Sequence, residues 1–161
     1  MINIRPFEPQ DACGVASLIL PIQQQEFGLQ INLESQADLQ TIPSFYQHGC
    51  GNFWVAQAAG TIVGSIALLD IGNRQAALRK MFVASDYRGS AYGVAVSLLK
   101  TLTQWARSKN VEAIFLGTTD RFLAAHRFYE KNGFKEIAES DLPSAFPIMK
   151  VDSKFYVFST Q

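Results

Sequence analysis

A glycine-containing loop over residues 88–93 has the residue types that suit anion binding. It reads Arg-Gly-Ser-Ala-Tyr-Gly, follows an apolar stretch that ends at Val83, and precedes residues with helical apolar spacing. Glycine lets the backbone turn sharply and approach a ligand closely, and the first N–H groups of a helix have no partners within it. With the charge of Arg88, the loop predicts a phosphate or pyrophosphate site; an ordinary strand–loop–helix turn is the alternative. Its glycine spacing fits neither the Walker loop nor the dinucleotide fingerprint.

Tyr129 and His126 lie three residues apart in a segment with helical apolar spacing, so a helix would place them on one face. His126 is interpreted as a partly buried structural residue, with tuning of the tyrosine as the alternative. The histidine and cysteine spacings do not indicate a metal site. Cys13 and Cys50 have no evident neighbouring base, so we expect free thiols in a reducing compartment rather than nucleophiles.

Composition and charge narrow the classes of function. The chain carries 14 basic and 14 acidic residues, and 48% of its 161 residues are hydrophobic. The balanced charge speaks against general nucleic-acid binding, and the length and apolar content fit one domain with a sizeable core. Residues 1–70 hold one basic and six acidic residues, whereas the remainder has a net charge of +5. A cationic ligand on the first part and an anionic one on the second would fit, and so would two ordinary solvated surfaces.

Targeting and membrane segments are not expected. The first residues lack the basic and apolar regions of a signal peptide. The longest apolar run, residues 62–69, is far shorter than the roughly 20 residues of a spanning helix. We therefore expect a cytoplasmic protein without a membrane partner.

The elements that must position these residues follow from apolar periodicity. Strands are predicted from residue 2 to Arg5-Pro6 and at 53–58, 61–70, 75–83, 113–117, 134–138 and 154–159. Helices are predicted from Asp11 to Pro21 with continuation over 23–27, at 34–39, near Phe45, at 95–106, and at 121–132 with Gly133 as C-terminal cap. The short turns around 59–60 and 71–74 indicate an antiparallel meander, and the whole order predicts a mixed α/β (α+β) sheet fold.

Two segments together resemble the signatures of the GNAT superfamily of N-acetyltransferases. The acetyl-CoA motif of that superfamily reads Arg/Gln-x-x-Gly-x-Gly/Ala. Arg88, Ala91 and Gly93 stand at its positions, with alanine in place of the first glycine. Residues Phe128 to Phe134 read Phe-Tyr-Glu-Lys-Asn-Gly-Phe, which is similar to the second signature, a helix that ends in Tyr-Glu-Lys-x-Gly-Phe. The resemblance covers residues 53–138.

The resemblance implies a single GNAT-like domain over residues 1–161, with a twisted, mostly antiparallel central sheet of about six to seven strands and helices on both faces. The acetyl-CoA-binding core would span about 75–138, and the acceptor-side elements about 11–50 and 139–161. Acetyl-CoA would be the co-substrate, without a metal, and the chain would form a homodimer. The residues expected to contact acetyl-CoA are Met81, Phe82, Val83, Arg88, Gly89, Ser90, Ala91, Tyr92, Gly93, Val94, Phe122, Ala125 and Phe128.

The implied reaction is transfer of acetyl from acetyl-CoA to a primary amine by direct attack in a ternary complex. The backbone of residues 81–83 would pair with the pantetheine arm, and an N–H of Phe82 or Val83 would polarise the acetyl carbonyl. Tyr129 matches the tyrosine that protonates the departing thiolate in many relatives, and a phenol with a pKa near 10 suits that role of general acid. Packing on the sheet is its alternative role.

The general base is the residue that the resemblance does not supply. Many relatives carry a glutamate 11 residues before the motif arginine, and here that position is Ala77. Asp70 and Glu26 are the candidates, each acting through a bound water, and a plain surface carboxylate is the alternative for both. A general base contributes roughly 10²–10⁴-fold, less than positioning does, so its absence would not exclude catalysis.

We expect a small-molecule amine as the acceptor, such as an amino acid, a polyamine or an aminoglycoside-like compound, with the N-terminus or a lysine of a peptide or protein as the alternative. The acidic first part of the chain favours a cationic acceptor. A nucleic-acid partner is not expected. The alternative function is a non-catalytic acyl-CoA-binding sensor or interaction module. Ala77 and Ala91 favour that alternative, whereas Tyr129 and the pair of Arg88 and Gly93 favour the enzyme.

Overall fold

Seven strands form one sheet in the computed structural model, which describes residues 1–160; Gln161, the last residue of the predicted segment 139–161, lies outside the described residues. The strands are β1 (Ile2–Pro6), β2 (Asn52–Ala58), β3 (Thr61–Gly72), β4 (Gln75–Val83), β5 (Ala113–Thr118), β6 (Lys135–Ile137) and β7 (Lys154–Ser159). The helices are α1 (Ala12–Pro21), α2 (Ala37–Gln40), α3 (Ile42–Tyr46), α4 (Val94–Ser108) and α5 (Leu123–Lys131). The sheet order is β1-β2-β3-β4-β5-β7-β6, and β4–β5 is its parallel pair.

Helices cover both faces of the sheet, which confirms the predicted mixed α/β fold with a mostly antiparallel seven-stranded sheet. On one face, α4 buries Leu98 and Leu102 against sheet residues such as Ile66 and Ile114. On the other face, α1 and α3 pack against residues of β2 and β3, with Ile19 and Tyr46 among the side chains that are fully buried. No helix within residues 1–160 combines the length and the apolar character needed to cross a membrane.

The parallel pair β4–β5 opens partway along its length. Its register runs from Gln75 opposite Ala113 to Ala77 opposite Phe115, and no pairing between the two strands follows within the described residues. A helical crossover through α4 joins them, as parallel neighbours require. We call the gap between residues 78–83 of β4 and 116–118 of β5 the split.

A bulge in β4 faces this split. Ser65 and Ala67 of β3 pair with Phe82 and Arg79, so one residue of β3 lies opposite the two residues 80–81 of β4. Lys80 has a positive φ of 54° and its carbonyl accepts a hydrogen bond of 2.7 Å from the Ser65 hydroxyl. A bulge re-aims side chains, and here Arg79 and Lys80, although adjacent in sequence, both reach the carboxylate of Asp38.

The structure corrects two predicted helices. Helix α2 begins at Ala37 rather than near residue 34, because Asn32 and Ser35 hydrogen-bond to each other's backbone N–H groups and form a turn there. The predicted continuation over 23–27 is a wide π-helical turn over Ile22–Glu26. It follows Pro21, whose missing N–H and bulky ring interrupt regular α-helical hydrogen bonding.

Candidate functional site

The loop over residues 88–93, which we call the anion loop, leads into the N-terminus of α4. Gly93 caps the helix with a φ of +64°, and Gly89 has a φ of +98°, a conformation that L side chains rarely adopt. The N–H of Ser97 donates to the Gly93 carbonyl, so the N–H groups of residues 94–96 have no acceptor within the helix. Ser90, Ala91 and Tyr92 are exposed. The start of α4 therefore offers backbone donors without helical acceptors beside an exposed loop, an arrangement that suits a phosphate.

The structure joins two predicted site residues directly. Arg88 donates to both carboxylate oxygens of Glu26, at 2.8 Å and 3.0 Å, and its Nε donates to the Val83 carbonyl at 2.8 Å. Glu26 ends the turn that follows α1. This places Glu26 at the anion loop, where its charge is matched by the guanidinium expected to bind pyrophosphate.

The edge of β4 that faces the split lacks a strand partner beyond Ala77 within residues 1–160. The N–H of Ala84 donates to Val63 of the β3 side. Because backbone groups of successive strand residues point to opposite sides, the N–H and C=O of Val83 point toward the split. An unpaired edge of this kind accepts an extended ligand by backbone hydrogen bonds.

Three aromatic rings meet beside the split. Phe27 lies 4.2 Å from Phe122 and 6.2 Å from Phe82, measured between ring centroids. Phe122 precedes α5, whereas Phe82 belongs to β4, so the cluster joins both sides of the split. Met81, Ala125 and Phe128 are partly buried against the core under α4, and Tyr92 lies 5.1 Å from Tyr87 in the anion loop region.

Tyr129 is buried on α5 among the rings of Phe128, Phe134 and Tyr156. No hydrogen bond joins its hydroxyl to another residue of the described chain. Burial raises the pKa of Tyr129, so the phenol keeps its proton at neutral pH. Both predicted roles, proton donor and packing residue, fit this setting.

Asp70 lies away from the other predicted residues. It pairs with Ala76 in the sheet, near the start of β4, whereas Val83 is seven residues farther on, roughly 20 Å along an extended strand. Its oxygens accept the N–H groups of Gly72 at 2.8 Å and Cys50 at 3.1 Å. These hydrogen bonds lower the pKa of the Asp70 carboxyl. Its contacts support a role in holding the loop before β2 against the β3–β4 turn.

His126 has the structural setting predicted for it. It is buried on α5, and its Nε2 lies 2.8 Å from the Thr119 carbonyl. The contact ties the helix to the turn that precedes it. Within residues 1–160, no group of three or more His, Cys, Asp or Glu side chains is placed to hold a metal ion.

A cluster of charged groups around the β4 bulge was missed in the sequence. The Asp38 carboxylate accepts from the Tyr46 hydroxyl at 2.6 Å and lies 3.4 Å from Lys80 Nζ and 3.9 Å from the Arg79 guanidinium. Lys80 also donates to the Gln36 side chain at 2.7 Å, and burial lowers the pKa of its ammonium group. The sequence pattern that could have predicted this cluster is the pair of adjacent basic residues, Arg79 and Lys80, in a largely apolar strand.

A second missed residue is Asp152, on the loop before β7. A Cβ at Gly117 would lie 2.5 Å from Asp152 Oδ2, so only glycine leaves room for this carboxylate. Because Ala77 pairs with Phe115, Gly117 stands level with Arg79 on the other side of the split. Asp152 accepts the Met149 N–H at 2.9 Å, and burial raises the pKa of its carboxyl. The sequence pattern that could have predicted this close approach is the glycine within the predicted strand 113–117.

Comparisons with known proteins identify the family and the fold. A family model described as "Acetyltransferase (GNAT) family" matches residues 19–134. The crystal structure of an acetyltransferase of the GNAT family from Staphylococcus aureus Mu50 is 37% identical, with a TM-score of 0.94 over 100% of both chains. An acetyltransferase structure from Streptococcus agalactiae 2603 is 32% identical, with a TM-score of 0.92 over 98% of both chains.

Among curated relatives, the N-acetylaspartate synthetase of Danio rerio is 35% identical over 106 residues, which are 65% of this chain and 37% of that protein. This chain spans between 34% and 50% of the length of the curated relatives that it matches.

Proposed function

Because the chain belongs to the GNAT acetyltransferase family, we propose that it transfers acetyl from acetyl-CoA to the primary amine of a small molecule, by direct attack in a ternary complex. One observation carries the proposal. The unpaired edge of β4 ends at Val83, and one 3-10 turn over Ser85–Tyr87 joins it to the anion loop at the N-terminus of α4. An extended pantetheine arm matches the unpaired edge, and the pyrophosphate at its end matches the anion loop.

In the proposed complex, the edge of residues 81–83 pairs with the pantetheine arm, and the loop from Arg88 to Val94 binds the pyrophosphate. Phe122, which precedes α5, lines the far side of the split together with Ala125 and Phe128 of α5. Holding the thioester in this way is worth roughly 7–11 kcal/mol of the barrier when the geometry is right. Positioning is therefore the largest contribution that this site makes.

The chemical step follows from the groups at the split. The amine nitrogen attacks the thioester carbonyl carbon, and the Val83 N–H, which points toward the split, stabilises the developing oxyanion. As the C–S bond breaks, the Tyr129 hydroxyl donates its proton to the departing thiolate. A phenol kept protonated by burial suits this donation.

Three carboxylates are candidates for receiving the proton of the amine. Glu26 is matched by Arg88, and Asp70 is held by two backbone N–H groups far along β4 from Val83. Asp152 stands across the split from Arg79, and its raised pKa makes it a better proton acceptor than an exposed aspartate. We favour Asp152, with Glu26 and Asp70 acting through water as the alternatives.

The pH dependence of the rate distinguishes these carboxylates. Removal of the general base by Asp152→Asn should abolish the acidic limb of the kcat/KM profile, a limb whose midpoint lies above the ordinary aspartate pKa of about 3.9. The same profile is measured for Asp70→Asn and Glu26→Gln. An acidic limb that survives in Asp152→Asn and disappears in one of the other variants assigns the base to that other residue.

The predicted preference for a cationic acceptor finds little support in the arrangement of charges. Five of the six acidic residues among residues 1–70 already have polar partners. Glu8 and Asp11 face Arg5, Glu26 faces Arg88, Asp38 faces Lys80, and Asp70 accepts backbone N–H groups. The acidic count therefore reflects paired charges rather than an open acidic surface.

Release of free thiol from acetyl-CoA, measured against a panel of amines, tests the proposed function. Turnover with any amine supports the enzyme. Calorimetric binding of acetyl-CoA without turnover of any amine would instead support the binding module that Ala77 and Ala91 favour. The predicted homodimer is tested on the same sample by its molar mass in light scattering.

A further inference from the structure

We propose that the acceptor carries a carboxylate and that Arg79 binds it, so that the substrate class is amino acids rather than simple amines or polyamines. The inference rests on the proposed acetyl transfer and names the acceptor of that same site. It is carried by the position of Arg79 and by the hydrogen bonds that its guanidinium does not make.

Arg79 connects both segments predicted to lie on the acceptor side. Its guanidinium lies 5.7 Å and 5.9 Å from the ring centroids of Phe45 and Tyr46, both on α3. On the other side, it lies 3.9 Å from the sulfur of Met149 in the loop before β7. Any acceptor that enters between these segments therefore meets Arg79.

The guanidinium has no strong oxygen partner among residues 1–160. Only 15% of the Arg79 side chain is exposed, and buried arginine is seldom found without a pair. Its nearest carboxylate oxygen, Oδ2 of Asp38, is 3.9 Å away and already accepts from Tyr46 at 2.6 Å. The weak contact to the Met149 sulfur is its one hydrogen bond to the described chain. Several of its five N–H donors thus remain available.

The surroundings hold the guanidinium in place. The rings of Phe45 and Tyr46 attract a cation, and the bulge at Lys80 directs the neighbouring ammonium to Asp38 and Gln36. Asp38 is thereby shared with the closer Lys80, so at 3.9 Å it offsets the charge of Arg79 only in part and accepts no hydrogen bond from it. A planar guanidinium with free parallel N–H groups matches the two oxygens of a carboxylate.

The position relative to the split suits an amino acid. Arg79 stands level with Gly117, over which the Asp152 carboxylate lies. An acceptor whose carboxylate binds Arg79 would direct its nearby amine toward Asp152 and the acetyl end of the site. A cation with a single charged amine would gain nothing from Arg79 and would be repelled by it.

The test compares free amino acids with the corresponding amino-acid amides, and with a diamine, in the thiol-release assay. We expect kcat/KM for the acids to exceed that for the amides by about 100-fold or more, because a site built for a polar group rejects analogues that lack it. In Arg79→Gln this ratio should fall toward one, mainly through KM of the acceptor, with KM for acetyl-CoA unchanged. The control Arg74→Gln alters an exposed arginine paired with Glu112 and should keep the ratio.

The ratio is insensitive to partial unfolding, because both substrates are measured on the same molecules. Equal use of acids, amides and diamines by the wild-type protein overturns the inference and leaves the proposed function intact. An unchanged ratio in Arg79→Gln removes Arg79 as the carboxylate ligand.

Binding of succinate, a carboxylate without an amine, keeps the proposal testable if no amine is turned over. Calorimetry of succinate with the CoA-bound protein should show binding in wild type and in Arg74→Gln, and a loss of at least 10-fold in affinity in Arg79→Gln. Absence of binding to wild type would overturn the carboxylate site. Absence of turnover together with succinate binding would overturn the proposed function alone.

Discussion

At the scale of single residues, two neighbouring buried tyrosines differ in whether their hydroxyl has a hydrogen-bond acceptor within the described chain. Tyr129 and Tyr156 lie side by side with ring centroids 6.1 Å apart. The Tyr156 hydroxyl donates to Glu130 at 2.7 Å, whereas that of Tyr129 bonds to no described residue. A free donor is useful only if a substrate supplies the acceptor, and a departing thiolate is such an acceptor.

Tyr129→Phe should therefore lower kcat by about 100-fold, the lower range of general acid catalysis. The Kd for acetyl-CoA should be unchanged, because the ring and its packing remain. Tyr156→Phe is the matched control, and it should cost some stability while leaving kcat unchanged. Steady-state kinetics and calorimetry measure both. If kcat is the same in Tyr129→Phe and wild type, the proton comes from another group and Tyr129 is a packing residue.

The pair of Arg88 and Glu26 makes opposite predictions for its two members. Arg88→Ala should raise KM for acetyl-CoA by about 10- to 100-fold, the value of one or two hydrogen bonds to a charged group. Glu26→Gln should lower that KM by up to about 5-fold, because an exposed ion pair worth at most ~1 kcal/mol no longer competes for the guanidinium. A large loss of kcat in Glu26→Gln would contradict this and would support Glu26 as the base.

At the scale of elements, the split and the bulge of β4 position the groups of the candidate site. The anion loop could be predicted because its function follows from local residue types: glycines with positive φ, an arginine and a helix N-terminus. The strands could be predicted because alternation is also local. Arg88 and Gly93 were thus the residues from which the anion loop could best be predicted.

The remaining parts of the site depend on contacts between distant segments. Lys80 adopts a positive φ, which could not be predicted from its residue type. Its partner Asp38 is 42 positions away in the chain. The carboxylate of Asp152 comes from a loop without periodicity and meets the site only because β7 pairs with β5. No short-range pattern encodes such a meeting, so Arg79, Lys80 and Asp152 were not identified from the sequence.

Gly117 lies on the β5 side of the split, beneath the Asp152 carboxylate. Its substitution tests how firmly that carboxylate is held there. Gly117→Ala places a methyl group 2.5 Å from Asp152 Oδ2 and 2.7 Å from its Cγ, so either the carboxylate turns away from the Met149 N–H or its loop shifts. We expect a loss of about 1–3 kcal/mol in the free energy of unfolding, as for other overpacked sites. Urea denaturation measures this loss. An unchanged unfolding midpoint would mean that the Asp152 carboxylate is not held in its place over Gly117.

At the scale of the whole molecule, the site lies where three parts of the chain converge. The segment after α1 supplies Glu26 and Phe27, β4 and the anion loop supply the backbone groups, and the loop before β7 supplies Asp152. β4 contributes side chains to all three core clusters, so these three parts pack against a common sheet. A ligand that touches all three should therefore stabilise the whole fold rather than one region.

Acetyl-CoA should raise the melting temperature by an amount that depends on the ratio of its concentration to its Kd. A ligand at 100 times its Kd contributes about 2.7 kcal/mol to the folded state, and in a chain of this length 1 kcal/mol corresponds to about 2–4 °C. The expected rise is thus roughly 5–11 °C by differential scanning fluorimetry. Free CoA should give most of it, because the pyrophosphate and the pantetheine arm are shared, and Arg88→Ala should remove most of it. A melting temperature that acetyl-CoA leaves unchanged would contradict the assignment of the split and the anion loop, since both the enzyme and a binding module require that complex.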